Sequence, residues 1–307
     1  MSDIQNTLYK FSGAGNDFVV IDGRKGDVGE FREVERIGEL CREYRTDGLM
    51  ILTDSPVKPA NDERVPANDG PFDFVMEFYN PDGTGGMMCG NGGRCITAFA
   101  DMLGLKPAAE DGTWHFLAPD GPHEAKIIDR SFVANAPQDD KLVWTVRLKM
   151  IDVDGITPMM GGYFLNTGTR HFVRFVDDVD SIDMEQEAKP LRWDPAFQPI
   201  GTNVNFVERR EDGLHIRTYE KGVEGETLAC GTGITASAIA SIYEMPDQVG
   251  HDGVAVGHDG VTVGHDGVHL QCRRGDWLSV EFDKNGQHFT NVYLTGPAEL
   301  VKTIELC

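Results

Sequence analysis

The chain has no apolar run approaching the ~20 residues that a membrane-spanning helix requires, so no helical span is expected. Residues 1–10 lack a basic segment followed by an apolar one, and no secretory leader is expected there. The six cysteines (41, 89, 95, 230, 272 and 307) contain no C-x-x-C pair. In a chain of 307 residues that argues against a disulfide scaffold and for thiols kept reduced in a cytoplasm. Positive charge is scarce: 28 Lys and Arg stand against 50 Asp and Glu, a formal net charge of −22. Phosphate backbones and anionic lipid would repel such a surface, which argues against nucleic-acid and membrane partners. No Gly-Lys-Ser/Thr follows the glycine clusters, so a Walker-type phosphate loop is absent.

What is present suffices for two ordinary domains or one large one. Apolar residues make up 40% of the chain, which excludes wholesale disorder. Residues 18–22 and 49–52 read as short buried strands, and 72–79 as an alternating strand closed by the turn Asn80-Pro81-Asp82-Gly83. Phe31, Val34, Ile37, Leu40, Cys41 and Tyr44 recur at helical spacing, predicting a helix over 30–44. Ile96, Phe99, Ala100 and Leu103 form an apolar stripe on a second helix stopped at Gly104. The polar stretch 54–70 reads as loop.

A boundary is placed near residue 140, after which the same grammar repeats. Strands are expected near 144–150, 171–176, 203–208 and 214–220, then a helix starting near 230 with Ile234, Ala238 and Ile242 on one face and Pro246 beyond it. Strands near 278–282 and 290–294 follow. Gly13–Val20 (GAGNDFVV) is echoed by Gly168–Val173 (GTRHFV), and Cys89-Gly90-Asn91-Gly92 by Cys230-Gly231-Thr232-Gly233. The expectation is two related halves, 1–140 and 141–295, with the strand near 296–307 rejoining the first. Residues 250–270 are three heptads (GHDGVAV, GHDGVTV, GHDGVHL), read as an insertion of stacked turns or a hairpin rather than a metal site of His-Asp pairs.

Each half therefore carries a thiol at a glycine-rich helix start. Unpaired N–H groups and the positive end of the helix dipole lower the pKa of a thiol there. Glycine lets a ligand approach the backbone closely. Two such ends facing one cleft would cradle a carboxylate, with a thiol on either side of it. A thiolate on one face of an α-carbon and a thiol on the other can invert its configuration without a cofactor, exchanging the parts of base and acid. A zinc site is the rival use of thiols. It is disfavoured because residues 89 and 95 are awkwardly spaced and no His lies close by in sequence. Taken singly, Asn80 reads as a turn residue, His171 beside Phe172 as a core histidine, and Glu220-Lys221 as a solvated strand end.

An ordered set of motifs promotes these residues: Gly15-Asn16-Asp17-Phe18, Asp47-Gly48, Tyr79-Asn80-Pro81-Asp82-Gly83, Met88-Cys89-Gly90-Asn91-Gly92, Asn203-Val204-Asn205-Phe206, Tyr219-Glu220-Lys221-Gly222, Glu226-Thr227 and Ala229-Cys230-Gly231-Thr232-Gly233. In that order they resemble the diaminopimelate epimerase family, over nearly the whole chain apart from the heptads. The resemblance implies an α+β fold of two pseudo-symmetric domains, each a sheet wrapped around a central helix, with the active site in the cleft between them. It implies a homodimeric isomerase that converts LL- to meso-diaminopimelate with no cofactor and no metal. Carried over residue by residue, Cys89 and Cys230 are the acid–base thiols. His171 and Glu220 tune them. The backbone at Gly90-Asn91 and Gly231-Thr232 holds the α-carboxylate. Asn16, Asn80, Asn203, Glu220 and Lys221 bind the remaining polar ends of the substrate.

Three positions depart from the family pattern. Lys221 stands where Arg is usual, keeping the charge but losing the bidentate fork. Thr169-Arg170-His171 stands where many members read Asn-Pro-His, and Gly48 where some have Gln. Lys221 and Thr169 motivate a second expectation, the same thiols acting on another amino acid. The heptads motivate a third, a binding homologue without turnover.

Overall fold

The computed structural model describes residues 7–54, 72–85, 89–133, 141–243, 255–256, 262–263 and 267–306. Most of the expected loop over 54–70, Met88, Pro246, Cys307 and most of the heptads lie outside these residues. The chain divides into two compact units, residues 1–148 with 297–307, and residues 149–296.

The first unit runs β1 (Thr7–Ser12), β2 (Asp17–Asp22), α1 (Val34–Tyr44), β3 (Gly48–Thr53), β4 (Phe74–Tyr79), α2 (Gly90–Met102), β5 (Thr113–Ala118), β6 (Gly121–Val133) and β7 (Lys141–Lys149). Neighbouring strands pair in sequence order from β1 to β7, with β2–β3 and β4–β5 parallel and the other pairs antiparallel. The second unit runs β8 (Thr157–Met159), β9 (Gly162–Asn166), β10 (Arg170–Phe175), α3 (Lys189–Arg192), β11 (Asn203–Arg210), β12 (Gly213–Glu220), β13 (Gly225–Thr227), α4 (Gly231–Tyr243), β14 (Ala255–Val256), β15 (Thr262–Val263), β16 (Val268–Gln271), β17 (Trp277–Asn285) and β18 (His288–Glu305). Its sheet alternates in the same way, with β10–β11 and β12–β16 parallel and β8–β9, β9–β10, β11–β12 and β16–β17 antiparallel. Within the heptads, β14 and β15 pair antiparallel with each other. The long strand β18 serves both units: residues up to 295 pair with β17, and residues from 299 on pair with β1.

Helices α2 and α4 are enclosed by their own sheets. Every residue from Gly90 to Ala100 is buried, and every residue from Gly233 to Ile242. The sequence pattern predicts a single stripe on α2, yet the helix is buried on every face from Gly90 to Ala100 because strands pack on several sides of it. Phe99 is wedged between Tyr9 and Phe11, with ring centroids 5.0 and 5.7 Å apart, and Phe11 continues to Trp144 at 5.9 Å. The α2 terminus is a glycine cap: Gly104 has φ +79°, and Leu105 N–H returns to the Ala100 carbonyl at 3.1 Å.

The expected helix over 30–44 is two pieces, a 3-10 turn at Gly29–Arg32 and then α1, separated by an extended Glu33. The break allows Phe31 and Ile37 to join one core cluster. It also turns Val34 out of that core: Val34 is 59% exposed and covers the Gly83 turn. Strands β1, β5, β6, β8, β9 and β13 and helix α3 lie where no element was predicted. The two last expected strands are one 18-residue strand. Among the described residues, no helix is long and apolar enough to cross a membrane.

The loop before β2 rides directly on α2. A Cβ built on Gly13 would lie 2.7 Å from the Asn91 carbonyl oxygen and 2.9 Å from the Cys95 sulfur. Gly13→Ala should therefore destabilise the first unit by about 1–3 kcal/mol, as other overpacked sites are, read as a lower urea midpoint.

Candidate active site

In the first unit, Cys89 is the residue before α2, with extended φ/ψ of −80°/129°, and its carbonyl takes the first helical bond from Gly93 N–H at 2.8 Å. The amides of Gly90, Asn91 and Gly92 occupy the first turn, where a helix offers no internal acceptor. Behind them lies Arg94, fully buried. Its Nη2 donates to the Asn91 Oδ1 at 2.9 Å and to the Gly13 carbonyl at 3.1 Å. A guanidinium only donates, so the Asn91 oxygen must face it. The Asn91 Nδ2 then donates to the Asn16 Oδ1 at 2.6 Å, leaving the Asn16 amide nitrogen as a donor for a ligand. The Cys89 sulfur lies 4.0 Å from the same Asn16 oxygen. Asn80 closes its own turn, donating from Nδ2 to the Thr84 hydroxyl at 3.1 Å.

The second unit repeats the backbone construction with different polar groups. Cys230 precedes α4, and its carbonyl accepts from Ile234 N–H at 2.9 Å. Its sulfur is 3.4 Å from the Thr232 hydroxyl. That hydroxyl is 2.9 Å from His171 Nε2 and 3.0 Å from the Thr169 hydroxyl. The Thr232 carbonyl is held by the Thr167 hydroxyl at 2.8 Å. Asn203 on β11 donates to the Arg170 carbonyl at 3.0 Å and accepts from Lys221 N–H at 2.8 Å. The Lys221 amine donates to the Ile200 carbonyl at 3.3 Å. Glu220, at the end of β12, accepts from the Thr227 hydroxyl at 2.6 Å.

Sequence reasoning missed two residues that hold these groups. Asn205 is fully buried and contacts His171 Nδ1 at 3.0 Å, while Arg94 orients Asn91. Both had a signal: Asn203-x-Asn205 puts two amides on one strand face, and Arg94 is a charge within an otherwise buried helix. Burial pushes the pKa of His171 down to about 3, so the ring is neutral at physiological pH. Cys89 and Cys230 are partly exposed, whereas Cys41, Cys95 and Cys272 are buried. Burial raises the Cys41 and Cys272 thiols, which makes them poor nucleophiles. Among the described residues, no three His, Cys, Asp or Glu side chains gather as a metal ion would require.

Known proteins match this chain over nearly its whole length. It is 34% identical to the diaminopimelate epimerase of Flavobacterium psychrophilum over 298 residues, covering 96% of this chain and 97% of that one. The chain belongs to the diaminopimelate epimerase family. It is accordingly an enzyme of the isomerase class. The Aquifex aeolicus diaminopimelate epimerase is 35% identical, covering 94% and 93% of the two chains. The diaminopimelate epimerase family model matches residues 163–301. Among solved structures, a PhzF-family phenazine biosynthesis protein of Bacillus anthracis is similar at TM-score 0.63 and 11% identity, covering 99% of this chain and 100% of that one. A probable proline racemase from Agrobacterium radiobacter is similar at TM-score 0.57 and 14% identity, covering 98% and 93%. At these identities the two structures establish the fold alone, an α+β architecture of sheets around central helices.

His171 sets a pH dependence of stability. Its ordinary value is 6.5, so between about pH 3 and 6.5 the unfolded chain binds a proton that the folded ring refuses. Stability from this group is complete above pH 6.5 and falls by about 1.4 kcal/mol per pH unit below it. Urea titrations of the parent and of His171→Asn across this range should differ by that slope.

Proposed function

We propose that the chain interconverts LL- and meso-2,6-diaminopimelate by a cofactor-independent two-base reaction, with Cys89 and Cys230 as the acid–base pair. One observation carries the reading: the same construction, a partly exposed thiol immediately before a buried glycine-rich helix, occurs once in each unit of a chain from this family. One sulfur, as thiolate, takes the α-proton. Charge developing on the carboxylate is stabilised by first-turn amides at Gly90-Asn91 and Gly231-Thr232. The other sulfur, as thiol, returns a proton to the opposite face, and the two thiols have then exchanged protonation states. Asn16, Asn80, Asn203, Glu220 and Lys221 bind the substrate's ammonium and distal carboxylate groups. The family resemblance supports a homodimer in the supply of lysine and peptidoglycan precursors, and the scattered cysteines support a reducing cytoplasm as its place of work.

Turnover of diaminopimelate in deuterated water should place solvent deuterium at the α-carbon. Cys89→Ala and Cys230→Ala should each lower turnover by about 10²–10⁴-fold, the usual contribution of a positioned acid or base, with substrate still binding by calorimetry. Full activity in either variant would sink the mechanism.

A further inference from the structure

We propose that Asn205 is a positioning residue for Cys230: by fixing which ring nitrogen of His171 carries the proton, it makes the Thr232 hydroxyl a hydrogen-bond donor to the Cys230 sulfur. The inference rests on the reading of Cys230 as an acid–base thiol.

The orientation of Asn205 follows from its neighbours. Its Nδ2 lies 3.2 Å from the Phe172 carbonyl, which accepts and cannot donate, and its Oδ1 accepts from the Thr218 hydroxyl at 3.0 Å. The group facing His171 Nδ1 at 3.0 Å is therefore the amide nitrogen, and it donates. Nδ1 carries no proton, so the single proton of the neutral, buried ring is on Nε2. This nitrogen is 2.9 Å from both the Thr169 and the Thr232 hydroxyls. Asn203 is oriented by the same logic, through the Arg170 carbonyl and Lys221 N–H, and its Nδ2 approaches the Thr169 hydroxyl at 3.3 Å.

The two hydroxyls thus receive N–H donors from the protein side and have two protons of their own to direct. One proton makes the 3.0 Å bond between them. With Thr169 as the donor in that bond, the Thr232 proton is directed to the Cys230 sulfur at 3.4 Å. A donor so placed favours the thiolate over the thiol. The opposite tautomer would make Nε2 an acceptor that competes with the sulfur for the Thr232 proton. Gly233 packs against this pair: a Cβ there would lie 2.5 Å from the Asn205 Oδ1 and 3.3 Å from His171 Cε1.

The test is alkylation of Cys230 by iodoacetamide in a Cys89→Ala background, followed by mass of the Cys230 peptide against pH. Thr232→Val should slow alkylation at neutral pH about tenfold, the scale of one lost hydrogen bond to a charged group, and shift the profile to higher pH. Thr232→Ser should restore it. Asn205→Asp, whose carboxylate pulls the proton to Nδ1, should reproduce the Thr232→Val profile with Thr232 intact, and combining the two should add nothing further. A direct readout needs no change at Asn205: ¹⁵N spectra of histidine-labelled protein, assigned with His171→Asn, should show the Nε2–H tautomer. An Nδ1–H ring overturns the proposal, as does a Thr232→Val or a folded Asn205→Asp profile that superimposes on the parent. Should Asn205→Asp fail to fold, the spectra and the Thr232 pair decide. Alkylation is read without turnover, so failure to process diaminopimelate and failure of this proposal are separable outcomes.

Discussion

A helix with no solvent-facing side is the constraint from which the rest of each unit follows. Burying α2 or α4 on every face requires a sheet long enough to wrap it and side chains small enough to let strands come near, hence the runs of Gly, Ala, Ser and Thr along α4. It also leaves the polar first-turn amides as the one place where the helix must meet something that accepts. The protein puts glycines and a cysteine at that place in both units, so the electrostatic cost of enclosing a helix is turned into a site that favours anions.

The two ends share a backbone plan and differ in chemistry. In the first, a buried guanidinium orients Asn91, which orients Asn16, and an amide oxygen faces the sulfur. In the second, the Thr232 hydroxyl faces the sulfur, backed by the neutral His171 imidazole and the Thr169 hydroxyl. Thr169 illustrates how a departure from the family pattern is absorbed. Its hydroxyl is engaged with His171, Thr232 and Asn203, so it acts inside the protein's own network.

Much of this was legible in the sequence because glycine, cysteine and asparagine cluster at the starts of the two buried helices and beside them. The starts of α2 and α4 were marked by Cys-Gly, and Asn16, Asn91 and Asn203 by their motifs. Strand β6 escaped because charged residues such as Glu124, Lys126, Asp129 and Arg130 interrupt the apolar alternation along a strand that is half solvated. The break at Glu33 escaped because helical spacing continues through it. Only the three-dimensional demand that Phe31 and Ile37 share a core separates the 3-10 turn from α1. Asn205 was hidden among the motif residues because tautomer control is a property of three side chains at once.

Strand β18 gives the first unit an order of assembly that its position in the chain would not suggest. The pairing partner of β1 is supplied by residues 299–305, which are translated long after it. Until those residues emerge, β1 presents an open edge of unpaired backbone groups, the kind of edge that invites association with other chains. A unit whose first strand is made early is thus sealed only by a segment made much later.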